Sequence, residues 1–310
     1  MSERSPESFL DELLAAGLWV PSGIDGIYGR RNPFDRVVEA VDTLILRETA
    51  DDGAEIIRFP PVIPRATIEK TGYLASFPNL AGSVYGFEGT EDEAVELAAR
   101  VQRREEWSEF QTPIELMLTP AACYPVYPWV ASAGPLPEHG RLLDVQSYCF
   151  RHEPSRDPAR LQSFRMHENV RLGSAEEVFA WRESWVTRGA ELLASIGLGA
   201  ESVVASDPFF GRGGRMLSAN QVEQELKFEL VHPIAGEKPT AIFSVNYHQD
   251  HFGHDFGIST AAGEAAHTAC FGAGLERITL ALFAKHGLDV AGWPGDVLEC
   301  LQLDAPRFHL

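Results

Sequence analysis

The amino-acid sequence predicts an α+β fold, an antiparallel sheet flanked by helices. Segments with strand periodicity cluster in the second half of the chain and follow one another across short turns, the local pattern of antiparallel strands. Segments of helical periodicity precede and interleave them, several opening on side-chain capping signatures. The length of 310 residues, with 45% hydrophobic and 23% charged, supplies the core that such a sheet needs.

In chain order, Ser5-Pro6 opens a short helix with Leu10, Leu13 and Leu14 inward, stopped near Gly17. Asn32-Pro33 opens a second, whose Phe34, Val37, Val38, Val41, Leu44 and Ile45 keep helical spacing. Residues 55–59 read as a strand ending at Pro60-Pro61. Thr90 and Glu93 form a capping box before Ala94, Leu97, Ala98 and Val101. Ser174 and Glu177 form another before Val178, Trp181, Trp185, Leu192 and Ile196, with Gly197 as the stop. Residues 143–153 and 164–172 flank a polar loop and predict a hairpin. Along 225–232, Leu226, Phe228 and Leu230 take one face and Lys227, Glu229 and Val231 the other. Residues 240–247 follow after the turn Ala235-Gly236-Glu237. Cys270 leads through Gly272-Ala273-Gly274 into a helix with Leu275, Ile278 and Leu282 on one face.

Composition narrows the function classes. No apolar run is long enough to span a bilayer, and the acidic N-terminus lacks the basic and apolar regions of a signal peptide. Cys123, Cys149, Cys270 and Cys300 are too few and too scattered for a disulfide framework, which predicts a reducing, cytoplasmic setting. A formal net charge of -19 disfavours a protein that grips a nucleic-acid backbone, since phosphate contacts need a basic face.

Chemistry concentrates in two segments. Arg151 and Glu153 are two apart on a predicted strand and so share a face; Phe164, Met166 and Glu168 share one across the hairpin. An aromatic ring, an arginine and two carboxylates on one surface suit a purine and a phosphate, because the guanidinium fork binds oxygens in pairs. The same residues also suit an ion pair on a solvated sheet face. In Gly272-Ala273-Gly274-Leu275-Glu276-Arg277 the glycines permit close backbone approach. Arg277 falls in the first turn of a helix, where a cation opposes the helix dipole and calls for an anion. The segment lacks the Lys-Ser/Thr ending of a P-loop and the setting of a dinucleotide fingerprint.

Together, residues 150–153 (FRHE), the later Arg160 and Phe164, and residues 272–277 (GAGLER) resemble motifs 2 and 3 of class II aminoacyl-tRNA synthetases. The helix from Phe34 and the strand ending in Pro60-Pro61 look like motif 1, the dimer interface of that family. The resemblance runs from about Asn32 to the C-terminal helix and implies ATP as substrate. It places Arg151 on the ATP α-phosphate and the amino-acid carboxylate, Glu153 by the adenine amino group, Arg160 on the outer phosphates and Phe164 on the adenine ring. Arg277 should cover the other adenine face and touch the γ-phosphate. Leu161, Lys227, Glu229 and the strand Ala241, Ile242, Phe243 and Ser244 look like the rest of the nucleotide wall. Comparable synthetases carry an acidic metal ligand early in that last strand. Ile242-Phe243 stands there instead, so the Mg2+ expected with ATP lacks that ligand.

Many of these enzymes hold the α-amino group through a Thr-x-Glu loop before motif 2. The corresponding stretch, 118–123, ends in Cys123. Cys123, Glu168 and Cys270 resemble the ligand set of atypical zinc-dependent seryl-tRNA synthetases and of their small bacterial relatives, the amino acid:carrier-protein ligases. Two thiolates and a carboxylate leave one position of a tetrahedral Zn2+ open for a free amine. Buried core thiols are the alternative for both cysteines. Residues 150–173 match the ligases particularly closely. That resemblance implies activation of glycine or alanine and its transfer to the phosphopantetheine thiol of a carrier protein rather than to tRNA, and the motif 1 resemblance implies a homodimer; a zinc-dependent, seryl-like tRNA synthetase and a non-catalytic paralogue acting as a binding protein are the alternatives.

The remaining readings are local. The chain is read as a single catalytic domain, 1–310, with an N-terminal extension over about 1–30 and a carrier-docking insertion over about 208–224. In the insertion Gly211–Gly214 is read as flexible, Arg212 and Arg215 as cations for an acidic carrier, and Ser218 or Asn220 as a helix cap. A surface loop with two solvated arginines is the equal alternative. His248, His251 and His254 are crowded but read as structural or supporting groups rather than ligands; Cys149, Trp181 and Trp185 read as core, and Cys300 as incidental.

Overall fold

The computed structural model describes residues 4–236 and 238–303, and of 211–213 the backbone alone. Glu237 and the side chain of Arg212 therefore lie outside the described residues. Helix α1 (Pro6–Ala15) is capped by Ser5, whose Oγ accepts from the Ser8 N–H at 3.1 Å, and buries Phe9, Leu10 and Leu13. Strands β1 (Trp19–Ile24) and β2 (Ile27–Arg30) form a separate hairpin. Helix α2 (Asn32–Glu48) follows, with all six apolar positions predicted for it buried.

Strand β3 (Glu55–Arg58) and three short elements, β4 (Val62–Pro64), α3 (Arg65–Lys70) and α4 (Tyr73–Ser76), lead to β5 (Ser83–Gly86). Helix α5 (Glu91–Arg103) has the predicted capping box, but it buries no residue; Val95 and Val101 are exposed. Its spacing specified a helix and said nothing of a partner for its apolar face. Strand β6 (Thr112–Leu118) joins β4 and β5 in a three-stranded sheet, and α6 (Val126–Ser132) follows.

Strands β7 (Arg141–Phe150) and β8 (Ser163–Gly173) are the predicted hairpin, paired from Arg141 with Leu172 to Phe150 with Ser163. Helix α7 (Ala175–Ser195) carries the second capping box, and Gly197 ends it in the left-handed region, at φ +76°. Then come β9 (Glu201–Val204), α8 (Gly211–Glu223), β10 (Lys227–His232), β11 (Thr240–Gln249), α9 (His251–Phe256), β12 (His267–Gly274), α10 (Leu275–His286) and α11 (Gly295–Cys300).

The main sheet has the order β3-β7-β8-β12-β11-β10-β9. Every pairing is antiparallel except β3 with β7, so the sheet is mixed rather than wholly antiparallel. The local pattern could not show this, because a parallel pair needs a long crossover and here that crossover runs through the three-stranded sheet and α6. Helices α2, α7 and α10 cover one face, where Trp185, Phe243, Phe271, Phe283 and Phe34 share a core. The other face carries the cavity described below.

Behind β7 and β8, Asp144 (1% exposed) accepts from His167 at 2.7 Å, Asn169 at 2.9 Å and Arg58 at 2.8 Å, and His167 also meets Asp42 of α2 at 2.7 Å. Burial alone would raise the Asp144 carboxyl, but His167 and Arg58 outweigh it and hold it below its ordinary value of 3.8. The resulting stabilisation is full above that value and is lost as pH falls through the lower folded value. Asp144→Ala is expected to lower unfolding free energy by about 3 kcal/mol in urea titrations at neutral pH, since it strands buried donors. An unchanged midpoint would show that the network adds nothing.

Candidate active site

The uncovered sheet face is hollowed into a cavity of about 510 Å³, reached by alternate residues of four strands: Met166 and Glu168, Lys227 and Glu229, Ile242, Ser244 and Asn246, Cys270, Gly272 and Gly274. Alternation along β11 decides what its residues can do. Ile242 and Ser244 turn to the cavity, whereas Phe243 turns its ring to the covered face, 5.0 Å from Phe271 and 6.4 Å from Trp185.

Arg151 and Glu153 were expected on a strand, but β7 ends at Phe150. One further backbone bond, from Arg151 N–H to Gln162 O at 2.9 Å, carries the pairing a step on. Pro154 and Pro158 then give the 151–162 segment no amide donors at those points, so it leaves the sheet as a loop. Arg151 lines the cavity, with its Nε donating to Pro120 O at 3.1 Å and its guanidinium 5.4 Å from the Phe164 ring centroid. Glu153 pairs with Arg160 across the loop, and Leu161 is buried beneath it. Arg277, in the first turn of α10, donates from Nε to Ala159 O at 2.8 Å and from Nη1 to Ala241 O at 3.0 Å. Burial, Arg151 and Arg160 all push its guanidinium below its usual range. Arg151 and Arg277 thus both line the cavity, with Arg160 on the loop near enough to bear on Arg277, in a chain of net charge -19, which is a built demand for an anion. Lys227 lines the same cavity, bonded to Asp207 and 3.1 Å from Glu229.

In the same cavity Cys123, Glu168 and Cys270 bring their ligating atoms within 4.8 Å of one another, all three buried. They come from the loop after β6, from β8 and from β12. Glu168 accepts from the Ala122 N–H at 2.7 Å, and Cys270 Sγ lies 3.5 Å from Asn246 Nδ2 and 3.6 Å from His248 Nε2. Burial, then the Cys270 charge, pushes the Glu168 carboxyl up to about 8. Cys123 shares its proton with Cys270, which raises the first thiol and lowers the second. Three acidic groups packed together in a buried place, with donors orienting them, suit a divalent cation taking thiolate and carboxylate ligands.

Other expectations fare unevenly. His251 and His254 pair with Asp255 and Asp250 and do not join the triad. Residues 211–223 form a helix from Gly211, with no cap at Ser218 or Asn220, so Gly211–Gly214 is not a loop. Gly214 serves close approach: a Cβ there would meet Phe209 O at 2.6 Å. Arg215 is exposed on this helix. Sequence reasoning missed Asp207, Asn246 and Gln162. Asn246 was legible as the next cavity-facing residue after Ser244; a lone Asp in a loop gives no signal.

No protein-family model matches the chain. Its structure is similar to that of a Methanopyrus kandleri seryl-tRNA synthetase solved with an Aquifex aeolicus tRNA (TM-score 0.83, 21% identity, 99% of this chain and 62% of that one). It is also similar to seryl-tRNA synthetase of Pyrococcus horikoshii complexed with ATP (TM-score 0.71, 15% identity, 98% and 64%). Fold and motifs therefore define a class II aminoacyl-tRNA synthetase-like catalytic unit. In sequence the chain is 47% identical over 303 residues to amino acid–acyl-carrier-protein ligase 2 of Bradyrhizobium diazoefficiens, covering 97% of this chain and 90% of that one. It is 46% identical over 291 residues to ligase 1 of the same organism, covering 94% and 89%. A type-2 serine–tRNA ligase of Methanopyrus kandleri is 27% identical over 283 residues, 83% of this chain and 53% of that one. The chain belongs to the amino acid–acyl-carrier-protein ligase family and is a ligase.

Proposed function

We propose that this ligase activates glycine or alanine with ATP as the aminoacyl-adenylate and passes it to the phosphopantetheine thiol of a carrier protein. The observation that carries the reading is that one cavity is lined both by the Arg151 and Arg277 guanidiniums and by a buried Cys-Glu-Cys triad. A triphosphate fits the first and a free α-amino group the second. Zn2+ held by Cys123, Glu168 and Cys270 would supply a Lewis acid for that amine. The resemblance to small carrier-protein ligases supports glycine or alanine, and the names of the Bradyrhizobium relatives support the carrier.

In this reading the substrate carboxylate oxygen bonds to the α-phosphorus as the bond to the β-phosphate oxygen breaks and pyrophosphate leaves. Arg151 neutralises the charge that grows on the α-phosphate; Arg160 and Arg277 hold the outer phosphates, which arrive with Mg2+. Arg160 exchanges Glu153 for phosphate, freeing Glu153 for the adenine amino group beside Phe164 and Leu161. Lys227 and Glu229, with the strand from Ala241 to Ser244, wall the nucleotide; Phe243 acts there through its backbone. The carrier thiol sulfur then bonds to the acyl carbon and AMP departs with the acyl oxygen, the thiol proton passing to solvent. No side-chain nucleophile is needed.

Helix α8 suits the carrier. It borders the cavity with Leu217, Asn220 and Gln221, exposes Met216 (78%) and Arg215, and is tied to the site by Gln221, which donates to Asp207 at 2.9 Å. A homodimer built on α2 and β3 belongs to the same reading. The test is amino-acid-dependent ATP–pyrophosphate exchange across the standard amino acids, followed by transfer to holo-carrier and to tRNA. Exchange with glycine or alanine and transfer to the carrier are expected. Arg215→Ala should slow transfer severalfold and spare exchange, as loss of one exposed cation would. Exchange with serine and charging of tRNA would overturn the reading in favour of a synthetase.

A further inference from the structure

The hairpin of β1 and β2 lies outside the motif-bearing sheet, yet it touches both segments that carry phosphate-facing arginines. Its base is anchored in the core. Trp19 is buried, stacks on Tyr28 with centroids 5.0 Å apart, and meets Phe34 of α2 edge-on at 5.4 Å. Its tip, Asp25-Gly26, reaches the 151–162 loop. Gly26 O accepts from the Gln162 N–H at 2.9 Å, and Asp25 O accepts from Gln162 Nε2 at 2.8 Å. Gln162 is only 4% exposed and has a second set of bonds inside the loop: its carbonyl accepts from Arg151 N–H at 2.9 Å and its Oε1 meets His152 Nδ1 at 3.1 Å.

The fit at the tip is close. Gly26 has φ +79°, and a Cβ there would lie 3.0 Å from Gln162 Cγ and 3.3 Å from Arg160 O. At the other end of β2, Arg30 bonds Glu276 at 3.0 Å, and Glu276 accepts from the Arg165 N–H at 2.7 Å and from Arg165 Nε at 2.9 Å. Glu276 immediately precedes Arg277, whose Nε is itself bonded to the loop at Ala159 O. The hairpin therefore braces both arginine-bearing segments against each other.

We propose that the N-terminal hairpin is part of the nucleotide site: its tip, acting through Gln162, sets the shape of the loop that presents Arg160 and Arg151 to ATP. Gly26 and Gln162 are positioning residues, and this rests on the reading that those arginines bind the ATP phosphates. A loop released from the hairpin still folds but holds the arginines in more than one place, which raises the ATP requirement more than it harms the amino-acid site.

Gly23 provides the control, since it also has positive φ, +90°, but a Cβ there meets nothing within 4 Å. Gly23→Ala and Gly26→Ala thus carry comparable backbone strain, and only the second presses on the loop. The experiment measures ATP–pyrophosphate exchange with full-length Gly23→Ala, Gly26→Ala, Gln162→Met and Arg160→Ala, together with thermal melting of each. Gly26→Ala and Gln162→Met should raise the ATP KM about tenfold while the amino-acid KM stays within about twofold, the split expected of lost positioning. Gly23→Ala should match the parent in both. Equal ATP KM changes in Gly23→Ala and Gly26→Ala would overturn the proposal, as would no change in Gln162→Met. If Gly26→Ala does not fold, Gln162→Met alone decides. Arg160→Ala separates the two levels: if it leaves the ATP KM unchanged, the nucleotide reading of the loop fails, whereas if it raises that KM and Gln162→Met does not, only the hairpin proposal fails.

Discussion

Amino-acid-dependent pyrophosphate exchange is expected to fall about a thousandfold when Arg151 is replaced by alanine, the scale seen when a preorganised charge facing a phosphoryl transition state is lost. Arg151 lies in the cavity wall, fixed by Pro120 O and the Phe164 ring, so its guanidinium is in place before substrate arrives. The loss should appear mainly in kcat, because the α-phosphate charge grows during the reaction. Arg151→Lys keeps the charge and loses the fork that binds two oxygens, and should recover only a small part of the rate. A wild-type rate in Arg151→Ala would remove this residue from the reaction.

The second large effect is at the triad. Cys270→Ser should bring bound zinc, measured by elemental analysis of purified protein, from about one per chain to near none, and abolish exchange with it. Cys149→Ser is the comparison: Cys149 is equally buried and adjacent to the same sheet face but stands outside the triad. It should keep its metal. Full zinc in both variants would make Cys123 and Cys270 core thiols. Asn246 and His248, which orient the Cys270 sulfur, should affect metal retention more mildly, about 10-fold to 100-fold in affinity, as supporting groups do.

The relation between sequence and site varies with the residue. Glu168, Met166 and Phe164 share a face because side chains alternate along a strand, and β8 keeps that alternation without a bulge. Arg151 and Glu153 reach the site for a different reason from the expected one: the strand ends before them, and a loop held by Gln162 presents them. Phe243 was grouped with its neighbours; it borders the cavity with them, while alternation along β11 turns its ring into the opposite core. The helix at 211–223 was obscured because glycine reads as flexibility, whereas at Gly214 it permits the contact with Phe209.

By itself, the sequence determined helices α1, α2, α5, α7 and α10 with the caps at Ser5, Thr90 and Ser174, the β7–β8 hairpin, and motifs specific enough to imply the class and the ligand triad. Those properties depend on neighbours within a few positions, where period and capping chemistry act directly. Only the tertiary structure decided that Cys123, Glu168 and Cys270 meet within 4.8 Å, that β3 runs parallel to β7, and that the N-terminal hairpin reaches the 151–162 loop. Each depends on strand order and long crossovers between segments far apart in the chain, which no local pattern records.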